Sequence, residues 1–122
     1  MRRVLAALST AALAAAMLVA TAQPASASDC SHPHPFLDGT GGFVTGSNVN
    51  MRTGPHYPPG LSCTILNVLQ YGWAAQYYCY TVGDTYSGWS TWTWVYVPAV
   101  GRAGWVNDAL LYGNGSWSYC GG

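Results

Sequence analysis

Thr91-Trp92-Thr93-Trp94-Val95-Tyr96-Val97 is the stretch that decides the fold class. All seven residues are β-branched or aromatic and none is charged, the composition of a strand in a packed sheet. Ser87-Gly88 precedes it and Pro98 follows it, so turn chemistry bounds it on both sides. Working back along the chain, residues 75–82 are rich in Tyr with β character, and residues 64–69 (Thr-Ile-Leu-Asn-Val-Leu) form another strand-like run. Asn48-Val49-Asn50-Met51-Arg52 alternates polar and apolar, as a half-buried strand does. Working forward, Trp105-Val106 reads as a short closing strand. Asp108-Ala109-Leu110-Leu111 reads as one helical turn capped by Asn107 or Asp108. Turn signals at residues 38–42, at Tyr71-Gly72, at Gly83-Asp84 and at Asn114-Gly115 punctuate the runs, and residues 54–60 form a proline-rich loop. No convincing helical apolar stripe runs through this part of the chain. Five short strands with frequent turns predict a small all-β barrel or sandwich.

The first 27 residues read differently. Arg2 and Arg3 precede an apolar run from Val4 to Ala22, then Pro24 breaks the helix and Ala25-Ser26-Ala27 offers a cleavage site. This is the tripartite pattern of a secretory signal. The run is close to the ~20 residues that span a bilayer, but the proline and the small-residue site favour cleavage over a retained anchor. Asp29 next to Cys30 is unlike a lipid-attachment site. The expected localisation is secreted, extracellular or cell-wall associated, with no membrane contact after cleavage.

Removing that signal changes the charge. Residues 28–122 carry two arginines, Arg52 and Arg102, against Asp29, Asp38, Asp84 and Asp108, with no Lys and no Glu, a net charge of −2. Two cations cannot build a phosphate-neutralising patch, which excludes nucleic acid as a partner. They cannot hold the chain electrostatically to an anionic membrane either. Cys30, Cys63, Cys79 and Cys120 form an even set with no Cys-x-x-Cys spacing. In a small exported domain that reads as two disulfides rather than a metal or redox motif. A domain of this size builds only a marginal core, for which such staples are a common remedy.

Two stretches together carry a family resemblance. Val49-Asn50-Met51-Arg52-Thr53-Gly54-Pro55 is similar to the opening of bacterial SH3-like domains, and Gly104-Trp105-Val106-Asn107-Asp108-Ala109-Leu110 resembles their closing segment. The resemblance runs over roughly residues 47–111 and implies a five-stranded SH3-like barrel of the exported, stand-alone type. It would sit between a leader (28–46) and a C-terminal tail (112–122). Gly54 and Pro55 would launch the long loop that borders the ligand groove in that fold, with Val49 and Met51 facing the core and Arg52 outward. The family implies a non-catalytic module that engages peptidoglycan peptide or glycan. The alternative is a secreted protein-interaction factor, an inhibitor or small effector, using the same surface.

The cysteine pairing is read from strand geometry and from the resemblance. If residues 64–69 and 75–82 form a hairpin centred on Tyr71-Gly72, Cys63 and Cys79 lie symmetric about the turn, and Cys30–Cys120 would join termini that the SH3-like fold brings close. The rival is Cys30–Cys63 with Cys79–Cys120, and four cysteines allow three pairings.

Six Trp and nine Tyr are the chemical excess of this chain. Trp94, Tyr96 and Trp105 are the expected core aromatics. Too many remain for so small a core, so some should be exposed, where an apolar face with a polar handle suits sugars or prolines. Tyr57, Trp89 and Trp92 flank the loops that would border the groove, with His56 in the proline-rich loop beside them. Catalytic residues, a metal and a cofactor are not expected. His32 and His34 alternate with prolines and read as a solvated leader rather than metal ligands. Asp84 and Asp108 read as turn and cap residues rather than an acid–base pair.

Overall fold

The computed structural model describes residues 29–121. The export signal expected over residues 1–27 lies outside the described residues. The chain forms six strands in order: β1 (Gly41–Phe43), β2 (Val49–Arg52), β3 (Ile65–Leu69), β4 (Ala74–Tyr86), β5 (Trp89–Val97) and β6 (Arg102–Asn107). Two 3₁₀ turns, Asp108–Leu110 and Tyr112–Asn114, complete the regular structure, and the described residues hold no α-helix. The strands make one antiparallel half-barrel sheet ordered β1-β4-β5-β6-β2-β3. The all-β expectation is therefore right, with six strands rather than five. The additional strand is β1, in the Gly-rich segment read as a turn.

The β4–β5 hairpin is the spine of the sheet. Ser87 and Gly88 both have positive φ (52° and 85°), the mirror-image turn that matches strand twist. Across it Thr81 faces Trp92 and Tyr77 faces Val95, and β5 continues into β6 with Trp94 opposite Trp105. Alternation along β5 sends Val95 and Val97 to one face and Trp92 and Trp94 to the other. The first face joins Val44, Val49, Met51, Leu69, Tyr77, Val106 and Leu111 in the main core. Burial of each such side chain stabilises the fold by roughly 1.5–3 kcal/mol.

The second face is also apolar and needs a cover of its own. A second cluster of Cys79, Trp92, Trp105 and Cys120 lies there, with Trp94, Tyr57 and Tyr78 packed on it. The leader supplies much of the cover. His34 stacks on Trp94 with ring centroids 3.7 Å apart and planes within 5°, while His32 meets the edge of Trp105 and shares a hydrogen bond with Thr81. This corrects the solvated-leader expectation: a sheet face bearing three tryptophans draws the leader's flat imidazoles onto it. The tail is held as firmly. Tyr80 N–H donates to Ser118 C=O (2.8 Å), and Cys120 N–H donates to Tyr80 C=O (2.9 Å).

The disulfides are Cys30–Cys63 and Cys79–Cys120, with Cα separations of 5.6 and 5.0 Å. The favoured pairing, Cys63–Cys79 with Cys30–Cys120, is thereby corrected. It assumed that β3 pairs with β4. Instead β3 pairs with β2, and β4 pairs with β1 and β5, so Cys63 and Cys79 never become cross-strand partners. The turn at Tyr71-Gly72 exists, with Gly72 at φ 87°, but its backbone bonds to Val44 rather than closing a hairpin.

Gly54 shows a different use from the one expected. Its φ is not positive, and a Cβ there would lie 2.4 Å from Cys30 Cα. The glycine is needed because the leader backbone crosses directly over it on the way to Cys63. Trp105 is fully buried as expected, whereas Trp94 and Tyr96 are only half-buried. Two disulfides fit an oxidising, extracellular environment. Among the described residues no helix is long and apolar enough to cross a membrane.

Candidate functional site

Two clefts of about 150 Å³ each open on the surface, and they share no lining residue. The first is walled by Tyr57, Tyr86 and Trp92, with Arg52, Asn50 and Ser47 among its polar residues. Tyr57 neighbours both of the other aromatic walls. Its ring lies 6.2 Å from that of Tyr86, nearly edge-on, and 6.2 Å from that of Trp92. Its hydroxyl donates to Thr85 C=O (2.6 Å), and the Arg52 guanidinium lies 5.9 Å from its ring centre, within cation–π range.

Arg52 is buried, not outward-facing as expected. The residue pairs with Trp105, so it lies on the second face of the sheet, which the proline-rich loop covers. There its Nη1 donates to Cys63 C=O at 2.8 Å. Burial lowers its pKa, and the neighbouring Tyr57 acts in the opposite direction. The guanidinium remains a cation at neutral pH.

His56 supports this cleft from below without lining it. It is 5 % exposed, and its Nδ1 donates to Asp84 Oδ1 at 2.9 Å. The other Asp84 oxygen accepts from Tyr57 N–H (3.0 Å), and the Asp84 carbonyl accepts from Trp92 Nε1 (2.8 Å). Partial burial tends to raise the Asp84 pKa. The His56 and Tyr57 hydrogen bonds outweigh it and hold the carboxyl below its ordinary value. Asp84 is thus a brace for the two aromatic walls, Tyr57 and Trp92.

Trp89 departs from the expected group altogether. It lies three positions before Trp92 on β5, and an odd spacing along a strand sends side chains to opposite faces. Trp89 lines the second cleft with Tyr80, Thr91, Asp108, Asn114 and Trp117. Of the four residues expected to make one groove, the structure brings Tyr57 and Trp92 together, puts His56 beneath them, and moves Trp89 elsewhere. Arg52 and Tyr86 were missed as cleft residues. Arg52 stood within the opening motif, and its being one of two cations in the described chain was the signal available.

Asp108 is the most perturbed carboxyl. It is almost fully buried, accepts from Thr93 Oγ1 at 2.6 Å, and lies next to the cap Asn107, whose Oδ1 accepts from Ala109 N–H. Burial raises its pKa to about 6, with hydrogen bonds from Thr93 and Thr91 acting against the rise. A carboxyl whose pKa is higher folded than unfolded stabilises the fold fully below its ordinary value of 3.8. That contribution is lost as pH rises through about 6. Asp108→Asn, neutral at every pH, should therefore be more stable than the parent at pH 7–8, by on the order of 1–3 kcal/mol. The gap should close as pH falls to 4. Denaturant titrations of both proteins across that range measure it. The difference between the two isolates Asp108 from His32, whose pKa is lowered chiefly by burial and which works in the opposite sense.

Asp84 and Asp108 belong to separate hydrogen-bond networks, the first with His56 and the second with Thr93. Among the described residues no group of three or more His, Cys, Asp or Glu could hold a metal. The fold and clefts define a class: a disulfide-stapled, aromatic-rich all-β domain suited to an oxidising compartment. No known protein family matches the chain, and no curated protein or solved structure matches it.

Proposed function

We propose that the chain is a secreted, non-catalytic binding module of the SH3-like type whose first cleft engages cell-wall peptidoglycan. The observation that carries this is the cleft itself, where Tyr57, Tyr86 and Trp92 surround an opening that also holds Arg52. Aromatic walls supply area for apolar or ring-shaped groups, and a lone buried guanidinium selects for a carboxylate. A short cell-wall peptide carries both kinds of group, which favours the peptide over the glycan at this cleft. The fold supports the SH3-like reading in one respect: the two stretches that carry the resemblance meet in the sheet, with Arg52 of β2 opposite Trp105 of β6.

The test is co-sedimentation of the oxidised protein with insoluble peptidoglycan. Tyr57→Ala is the informative variant, because Tyr57 is partly exposed and its removal leaves the Asp84 brace intact. Trp92, at 3 % exposure, would confound binding with folding. Retention of the parent and a loss of roughly tenfold or more in the variant are expected. Absence of retention would turn the reading to a secreted protein partner at the same surface. Release of soluble wall fragments would overturn the non-catalytic assignment.

A further inference from the structure

The second cleft lies toward the turn end of the β4–β5 hairpin, and it owes its far wall to the tail. Residues 113–120 fold back along β4, bonded to Tyr80 on both sides of its backbone and locked by Cys79–Cys120. This anchoring holds Trp117 in place, 78 % exposed. Its indole is oriented rather than loose, because Nε1 donates to Gly113 C=O at 3.1 Å. The turn that aims it takes Gly113, Asn114 and Gly115 through positive φ (66°, 58° and 75°). Gly115 is fixed by contact as well, since a Cβ there would lie 2.4 Å from Asp108 Oδ1. A large apolar ring pinned by a disulfide, a turn and a hydrogen bond, yet left in water, is a preorganised contact surface.

The lining decides what would contact it. Trp89, Trp117 and Tyr80 contribute flat faces, while Thr91, Asn114 and Asp108 contribute hydroxyl, amide and carboxyl groups. Neither Arg52 nor Arg102 lines this cleft, so an anion would meet a carboxyl with no compensating cation. Nor is Asp108 placed to face an ammonium ion: it is 2 % exposed and one of its oxygens already accepts from Thr93. A neutral ligand with one apolar face and a rim of hydroxyls satisfies both halves of the lining, and the cleft's size suits one sugar ring.

We propose that this cleft is a saccharide subsite, in which a neutral pyranose stacks on Trp117 between Trp89 and Tyr80 and bonds through its hydroxyls to Thr91 and Asn114, with the buried Asp108 behind them. It is separate from the first cleft and stands whether or not that cleft binds wall peptide.

The indole N–H signals of the six tryptophans in a ¹⁵N-labelled protein give a site-resolved test, with the β-1,4-linked tetrasaccharides of N-acetylglucosamine and of glucose as probes. At millimolar concentration at least one probe should shift the Trp117 and Trp89 signals and leave that of Trp92 in place. Trp117→Ala should weaken the binding roughly tenfold or more. Because that ring is mostly in solvent, the variant should keep its fold, which the dispersion of the other five indole signals checks. Tyr57→Ala should bind the sugar like the parent, so failure of this subsite and failure of the first cleft are read separately. No shift with either probe, or shifts that survive Trp117→Ala, would overturn the proposal. So would shifts confined to Trp92, or saturable binding of tetramethylammonium at Trp117 in place of the sugars.

Discussion

Removing both disulfides should leave the domain unfolded at 37 °C, and removing either one should leave it barely folded. The bridges close loops of 33 and 41 residues that succeed one another along the chain without overlap. In the chain-entropy account each contributes about 4 kcal/mol by restricting the unfolded ensemble, and separate loops make the contributions nearly independent. A domain of this size is stable by roughly 5–15 kcal/mol in all. Cys30→Ala with Cys63→Ala, Cys79→Ala with Cys120→Ala, and the fourfold variant, each taken through urea unfolding, measure the three losses. Cys63 and Cys79 are fully buried, so truncation adds a packing loss to the entropic one.

The two single-bridge variants should also differ in kind. Cys30–Cys63 ties the leader across Gly54 to the start of β3, so its loss should free the leader from Trp94 and Trp105. Cys79–Cys120 ties the tail to β4, so its loss should free the Trp117 wall of the second cleft and leave the leader protected. Amide exchange at Tyr80, whose N–H donates to Ser118 C=O of the tail, against exchange at Asp38, whose N–H ties the leader to Tyr77 C=O, distinguishes the two. Equal exchange in both variants would show that leader and tail unfold as one unit.

The strands were legible because each carries its own chemistry. Thr91 to Val97 consists wholly of strand-forming residues, and the alternation from Asn48 to Arg52 names both its type and its buried face. β1 was not legible, because Gly41-Gly42-Phe43 has the composition of a turn. Gly42 is required there by the neighbours it packs on, since a Cβ would strike the Tyr77 hydroxyl and the Tyr112 ring. The disulfide pairing was lost for a related reason. A turn at Gly72 says that the chain reverses, not which strand it meets next, and β1 and β2 take up the edges that a hairpin would have used.

The candidate site was legible by residue type but not by location. Tyr57 and Trp92 do meet, but the spacing of Trp89 from Trp92 already excluded a shared face on one strand. The same run held another signal: Trp92 and Trp94 on one face and Val95 and Val97 on the other leave no polar side for solvent. A strand apolar on both faces needs a second layer. Since the sheet supplies only one, the leader and tail had to provide it. Reading those segments as appendages of a barrel hid both the His34–Trp94 stack and Trp117.

Trp105 is where that second layer can be tested most sharply. It is fully buried, lies in register with Trp94 on β5 and Arg52 on β2, and meets the ring edges of Trp94 and both leader histidines. Trp105→Ala should cost about 3–5 kcal/mol, because the indole's contacts are lost and the disulfide-held leader can collapse only partly into the space. For a domain of this length that corresponds to a fall in Tm on the order of 15–30 °C. Trp105→Phe should recover part of the loss, since a smaller ring still fills the centre of the cluster. His34→Ala, which removes one stacked ring from the outside, should cost only about 1 kcal/mol. If Trp105→Ala lost no more than His34→Ala, the leader would be resting on the sheet rather than completing it. The ordered losses, Trp105→Ala well above His34→Ala, are what a buried second core requires: the residue between sheet and leader stabilises both, and the residue on top stabilises one contact.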